Sequence, residues 1–414
     1  MTNEYVTLSN GSSSALTAEA FTYTYDASGN ITEIKKNGAT LFRYAYDSLN
    51  QLVREDNRYT GKSYTWKYDE AGNILNRKTY AYTIDAPGTV QNTVIYGYDN
   101  GSWGDLLISF NGQSIAYDGI GNPGTWNGSA LTWQGRRLMS YGSNTYTYNA
   151  DGIRTSKTVN GVKHTYHLSG TQILSEEWTD RWNRHVMVYI YDAAGQPIGM
   201  SHFQDGTLVD TYLYEKNIQG DVVAVYDYAG DLVVRYAYNA WGAVSETEYG
   251  SEYCEESFEV LCNPFRYRGY YYDTETDLYY LNSRYYDPAV GRFLNADSYI
   301  NANGDLIGFN MFAYCSNNPV NRIDFLGTSW ISDKWNAFKE KGTKVISSFF
   351  ASFEVDFGLG WGIGGELEDV GAEYYWDFYV GVDDGEWVAG NVVSCEAALG
   401  GVSLGNTYDH RSEQ

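Results

Sequence analysis

Residues that could do chemistry are sparse in this 414-residue sequence, and most stand in patterns that oppose it. His164 and His167 lie three apart in a segment that reads as a strand, so they point to opposite faces and make a poor ligand pair. Asp383, Asp384 and Glu386 offer clustered carboxylates to a hard cation. The same residues spell a hairpin turn, Asp-Asp-Gly-Glu, and that is the stronger reading. Gly358-Leu359-Gly360-Trp361-Gly362-Ile363-Gly364-Gly365 has neither the glycine spacing nor the lysine of a phosphate-cradling loop. It reads as a flexible or tightly packed β segment, with membrane insertion by a small pore-former as the sharper alternative. A nuclease needs cations near the scissile phosphate, and towards the C-terminus only His410 and Arg411 qualify. Cys254 and Cys262 are close enough to bridge one loop, while Cys315 and Cys395 read as buried thiols. No metal and no cofactor is expected.

Composition says what must position any site. With 41 Tyr, 12 Trp, 16 Phe and 44 Gly, the chain suits pleated, half-buried strands joined by tight turns, not helical bundles. Acids outnumber bases 52 to 28, which opposes a nucleic-acid surface and an anionic membrane surface alike. Nowhere do 18 apolar residues run together, so no transmembrane helix is expected. The start, MTNEYVTLSNGSSS, shows no basic stretch followed by an apolar one. The chain is expected either to stay where it is made or to be a piece of something exported by other means.

A degenerate repeat runs through the first two-thirds. Tyr25-Asp26-Ala27-Ser28-Gly29-Asn30-Ile31 returns as Tyr68-Asp69-Glu70-Ala71-Gly72-Asn73-Ile74, with looser copies at Tyr46, Tyr117, Tyr148, Tyr191, Tyr226 and Tyr238. Ahead of the first copy Phe21, Tyr23 and Tyr25 share one strand face, and Thr22 and Thr24 share the other. Asp then opens a turn by accepting backbone N–H groups, and Gly supplies the positive φ. One repeat is therefore one hairpin, and hairpins this small must join into a continuous sheet. The repeat aspartates read as structural.

Residues 263–327 carry a longer pattern. Asn263-Pro264-Phe265-Arg266-Tyr267-Arg268-Gly269-Tyr270-Tyr271-Tyr272-Asp273 leads to Leu278-Tyr279-Tyr280-Leu281-Asn282-Ser283-Arg284-Tyr285-Tyr286-Asp287-Pro288. Gly291-Arg292-Phe293-Leu294-Asn295-Ala296-Asp297 and Asn310-Met311-Phe312-Ala313-Tyr314-Cys315-Ser316-Asn317-Asn318-Pro319-Val320-Asn321 follow. This closely resembles the core that closes Rhs (YD-repeat) proteins in their Gram-positive form, and with the repeats it spans about residues 20–327. The resemblance implies a mainly β fold: hairpins forming a spiralling antiparallel sheet, a partial shell, with the core as its plug. It also implies a variable C-terminal segment, often a toxin used against competitors or hosts, and with it an immunity protein or a further shell segment as partner.

Some members of that family cut themselves at the core–tail junction with an aspartyl-protease-like pair, one acid in each half of the core. By position these are Asp297 and Asp324. Two carboxylates forced together share a proton, so one serves as base and the other as acid. The sequence departs from the cleaving pattern, because Ala296 and Ser298 flank Asp297, and Phe325 follows Asp324 where Pro is usual. The plainer reading makes both aspartates turn caps. Arg266, Arg268, Arg284 and Arg292 are expected to pair with core acids such as Asp273 and Asp287.

The expected organisation is a YD-repeat sheet at 1–245, the core at 246–327 and a tail domain at 328–414. The tail reads as a short helix over 332–342 and then a β-meander, with 15 acids against 5 bases. Because about 300 residues give only one or two turns of sheet, the chain reads as the C-terminal portion of a longer, secreted or cell-surface parent, and as cytoplasmic if an orphan. Three functions compete. The first is a shell-and-plug module carrying an effector or its remnant. The second is an adhesive surface protein whose exposed aromatics stack on carbohydrate. The third is a self-cleaving core that releases the tail.

Overall fold

Each Tyr-Asp copy closes its hairpin with the same contacts. The Asp26 carboxylate accepts the N–H groups of Ser28 and Asn30, both at 2.9 Å, and Gly29 turns the chain with φ +83°. Asp47, Asp69, Asp118 and Asp192 repeat this, and Asn217 and Asn239 do so with an amide oxygen. The register shifts immediately before the turn residue, between Thr24 and Tyr25, Ala45 and Tyr46, and Lys67 and Tyr68. Such bulges bend and twist the strand, as a curving sheet requires.

Six of the tyrosines that stand before a turn make a further bond that no local pattern reveals, while Tyr226 donates to the Glu215 carboxylate instead. Tyr46 donates its hydroxyl to the Ile31 carbonyl at 2.8 Å, Tyr68 to Leu52 at 2.6 Å, and Tyr98 to Ile74 at 3.0 Å. Tyr148, Tyr191 and Tyr238 reach Leu138, Ile173 and Val222 in the same way. Each ring therefore packs as an aromatic and ties its strand to the strand that opens the preceding return. Phenylalanine would keep the packing and lose the tie.

This computed structural model describes residues 2–5, 19–99, 101, 103–251, 263–298, 306–328, 365–367, 372–383, 386–399 and 402–411. They fall into two units, Met1–Ser332 and Asp333–Gln414. In the first unit a ten-stranded meander runs from Thr2–Tyr5 to Gln113–Ser114, and a thirteen-stranded one from Thr125–Trp126 to Val244–Tyr249. Every strand pairs antiparallel with its sequence neighbours. A four-stranded sheet follows, made of Tyr271–Asp273, Leu278–Leu281, Arg284–Asp287 and Arg292–Phe293. The second unit holds four antiparallel strands, Gly365–Leu367, Ala372–Asp383, Glu386–Leu399 and Val402–Arg411. Asp383 pairs with Glu386 as the last pair of a hairpin, at a strand end as the turn reading requires, and Asp384 lies outside the described residues. The helix expected over 332–342, most of the glycine run, and Cys254 with Cys262 lie outside the described residues.

The small sheet and the segment 306–328 form a plug that meets the shell through its turns. The Asn317 amide donates to Gln51 at 2.9 Å and to the Gly72 carbonyl at 2.7 Å. Asn318 donates to Asn30 at 2.9 Å, and Asn310 to Asn73 at 2.9 Å. Asn321 accepts the Ile31 N–H at 2.8 Å and donates to Tyr46 at 3.0 Å. The four core arginines do not serve Asp273 and Asp287 as expected. Arg268 binds the Gln219 and Val320 carbonyls, and Arg292 reaches Tyr98 and the Asp105 carbonyl. Arg266 stacks on Tyr236 and Tyr272, and Arg284 goes to other acids, described below. Asp273 is taken by the shell: Arg154 grips it bidentately at 2.5 and 3.0 Å, and Lys157 approaches at 3.1 Å. Asp287 accepts the Trp126 indole N–H at 2.8 Å.

Arg154 is fully buried, ringed by Tyr146, Tyr166, Tyr271, Tyr280 and Tyr285. Burial alone would lower its pKa, but the Asp273 carboxylate overrides this and holds it well above the ordinary value. The repeat aromatics Tyr23, Tyr44, Trp66 and Tyr146 are likewise buried.

Two stability experiments test this packing. Arg154→Leu is expected to lower the unfolding free energy in urea by about 3–5 kcal/mol, and Arg154→Leu with Asp273→Leu to recover part of that loss. Glu55 is buried, accepts the Ala240 N–H at 3.0 Å, and burial pushes its pKa up to about 7. The folded state therefore holds this proton more tightly than the unfolded chain does. Stability from it is full below the unfolded value and is lost as pH rises towards 7. Glu55→Gln should thus gain on the wild type by up to about 3 kcal/mol between pH 5 and pH 8 in urea titrations.

Candidate functional site

The site is assembled by one hairpin of the plug. Leu281 pairs with Arg284 at the end of the strands Leu278–Leu281 and Arg284–Asp287, and Asn282 turns the chain with φ +59°. This aims the Arg284 side chain inward, where its guanidinium lies 3.6 Å from the centre of the Phe293 ring. Nη1 donates to the Met311 carbonyl at 3.0 Å. Nη2 is 2.8 Å from Asp297 Oδ2 and 3.4 Å from Asp324 Oδ2. Nε donates to the Gly327 carbonyl.

The two aspartates singled out in the sequence therefore meet on one nitrogen of one arginine. All three side chains are buried, with Arg284 at 5%, Asp297 at 6% and Asp324 at 2% exposure. Asp297 is held by its own N–H, which donates to the Met311 carbonyl at 2.9 Å, and its neighbour Ala296 is bound by Arg136 at 2.8 Å. Asp324 donates its N–H to Tyr270 at 2.9 Å and accepts the Thr328 N–H at 3.1 Å. Burial lowers the Arg284 pKa, against the pull of Asp297 and Asp324.

The exit of the chain from the plug is part of the same site. Asn282 donates its amide to the Phe325 carbonyl at 3.2 Å. The Ser283 N–H donates to the Leu326 carbonyl at 3.3 Å, and Ser283 Oγ lies 2.6 Å from that oxygen and 2.8 Å from the Gly327 oxygen. Asn282 and Ser283 carried no signal in the sequence beyond adjoining Arg284, because their partners lie more than 40 positions away.

Elsewhere the histidines sit as expected from their spacing. His164 binds Glu176 at 2.8 Å and His167 approaches Glu177 at 3.6 Å, on opposite faces. The sequence reading missed a closer pair, His185 and His202, whose ring nitrogens are 3.0 Å apart on neighbouring strands.

Comparison with known proteins matches this architecture. A family model described as Teneurin YD-shell matches residues 6–123 and 184–320. The tRNA nuclease WapA of Bacillus subtilis (strain 168) is 34% identical over 287 residues, covering 67% of this chain and 11% of that protein. The double-stranded DNA deaminase toxin A of Burkholderia cenocepacia (strain H111) is 26% identical over 333 residues, covering 73% of this chain and 22% of that one. The crystal structure of TcdB2-TccC3 aligns with a TM-score of 0.60 at 18% identity, covering 75% of this chain and 17% of that chain. The chain thus spans a small part of the length of these relatives, and it belongs to the teneurin YD-shell family, the Rhs-type YD-repeat shell proteins.

Proposed function

We propose that this chain is a shell-and-plug segment of an Rhs-type toxin system, with residues 1–245 as sheet, 246–327 as plug and 328–414 as a variable effector or effector remnant. The observation that carries this reading is the seating of the plug. Its asparagines and arginines occupy the Tyr-Asp turns of the shell, and its Leu281–Arg284 hairpin holds the three carbonyls through which the chain leaves. Relatives named as a nuclease and a deaminase toxin fit a module that carries different cargoes. The family match ends at residue 320, ahead of the tail. With 15 acids against 5 bases, the tail is poorly suited to gripping phosphates. The parent is exported or cell-surface, and an immunity protein or another shell segment is the partner.

A second reading, self-cleavage at the junction, is favoured by Asp297 and Asp324 meeting on Arg284 beside the Gly327 carbonyl and the Thr328 N–H. A water attacking that carbonyl would give its proton to one carboxylate, and the other would protonate the departing nitrogen.

Expression of residues 328–414 alone should slow the growth of a host more than the whole chain does; equal growth would mark the tail as an inert remnant. Self-cleavage is read from intact mass. Wild type should split near Gly327, and Asp324→Asn and Asp297→Asn should stay whole.

A further inference from the structure

We infer that the Asn282-Ser283 turn is a clip that fixes the Gly327–Thr328 peptide bond for hydrolysis, with Ser283 as a positioning residue; this rests on the self-cleavage reading. Both ends of that bond are held. Its carbonyl oxygen takes the Arg284 Nε–H and lies within reach of Ser283 Oγ, and its N–H donates to Asp324 Oδ1. The carbonyls of Phe325 and Leu326, just upstream, are bound by the same turn. Three consecutive carbonyls on three consecutive residues fix the register, because a slip by one would unmake all of them.

Ser283 is set to follow the reaction. Its hydroxyl has one proton and two acceptors, the Leu326 oxygen at 2.6 Å and the Gly327 oxygen at 2.8 Å. The Leu326 oxygen also takes a share of the Ser283 N–H at 3.3 Å, which that N–H divides with the Leu281 carbonyl at 2.7 Å, so a weak donor stays on it when the hydroxyl turns away. As water adds to the Gly327 carbonyl carbon, negative charge grows on its oxygen, and the hydroxyl can move to it at little cost. The tetrahedral carbon then expels the Thr328 nitrogen, which takes a proton from the aspartate pair. The products are a Gly327 carboxylate and a Thr328 amine, with one water consumed.

Gly327 is shaped to this clip. Its φ is +67°, and a Cβ there would stand 2.6 Å from the Leu281 carbonyl oxygen and 2.9 Å from Ser283 Oγ. Backbone cannot yield as a flexible side chain would, so alanine would lift the junction out of the clip.

Cell-free synthesis of the full chain, chased over time and resolved by intact mass, tests the inference. The wild type should give one product ending at Gly327. Ser283→Ala should slow its appearance by about tenfold to a hundredfold, and Ser283→Thr should restore most of the rate. Asn282→Asp, which keeps the turn but loses the amide donor, should give mixed ends. Gly327→Ala should abolish cleavage while its thermal unfolding shows the shell still folded. Wild-type cleavage with an unchanged rate and a single end in Ser283→Ala would overturn the clip and leave the Asp pair standing. A wild type that stays whole would overturn both.

Discussion

A turn built on aspartate or asparagine leaves polar groups at the end of the sheet, and burying them demands partners. This constraint governs the molecule. Asn30, Gln51, Asn73 and Asn122 lie at successive turns and are each at most 5% exposed. Unpaired, each would cost on the order of 1–3 kcal/mol. The plug meets the first three with Asn318, Asn317 and Asn310, while the Gly135 carbonyl serves Asn122. A meander of hairpins is thereby committed to one closing partner, because an apolar plug of the same shape would leave the turns unsatisfied.

The plug meets that demand with a strained backbone. Cys315, Ser316 and Asn317 have φ of +51°, +49° and +59°, three successive non-glycine residues in the left-handed region. At roughly 1–2 kcal/mol each, the strain is offset by what the run places: Tyr314 in the aromatic core and Asn317 between two shell turns. The plug's arginines follow the same logic. Arg268 spends its donors on backbone carbonyls, Arg266 lies against two tyrosine rings, and Arg284 holds both aspartates and the exit carbonyl. In a chain with few bases these cations are placed where several acceptors converge.

The hairpins were legible because alternating aromatics and Asp-x-x-Gly turns act within about seven residues. The plug as a unit was legible only through its resemblance to the Rhs core. Arginine pairing was misread for a physical reason. Asp273 and Asp287 are near the core arginines in sequence, but strand pairing turns their carboxylates towards Arg154 and Trp126 of the shell. The meeting of Asp297 and Asp324 was anticipated from the family, whereas the nitrogen that joins them lies 13 and 40 positions upstream with no periodic mark. Tyr46, Tyr68 and Tyr148 looked like packing residues, since a hydroxyl bound to a distant carbonyl leaves no trace in local spacing.

The central claim is that shell and plug are one cooperative structure joined through the Tyr-Asp turns. Native-state hydrogen exchange on the whole chain, resolved by residue across 19–328 under mild denaturant, tests it most directly. The account predicts that plug amides such as those of Phe293 and Asn317 exchange with the same opening free energy as shell amides such as those of Ile31 and Asn73. Plug amides that open at much lower free energy, while the shell strands keep full protection, would contradict it.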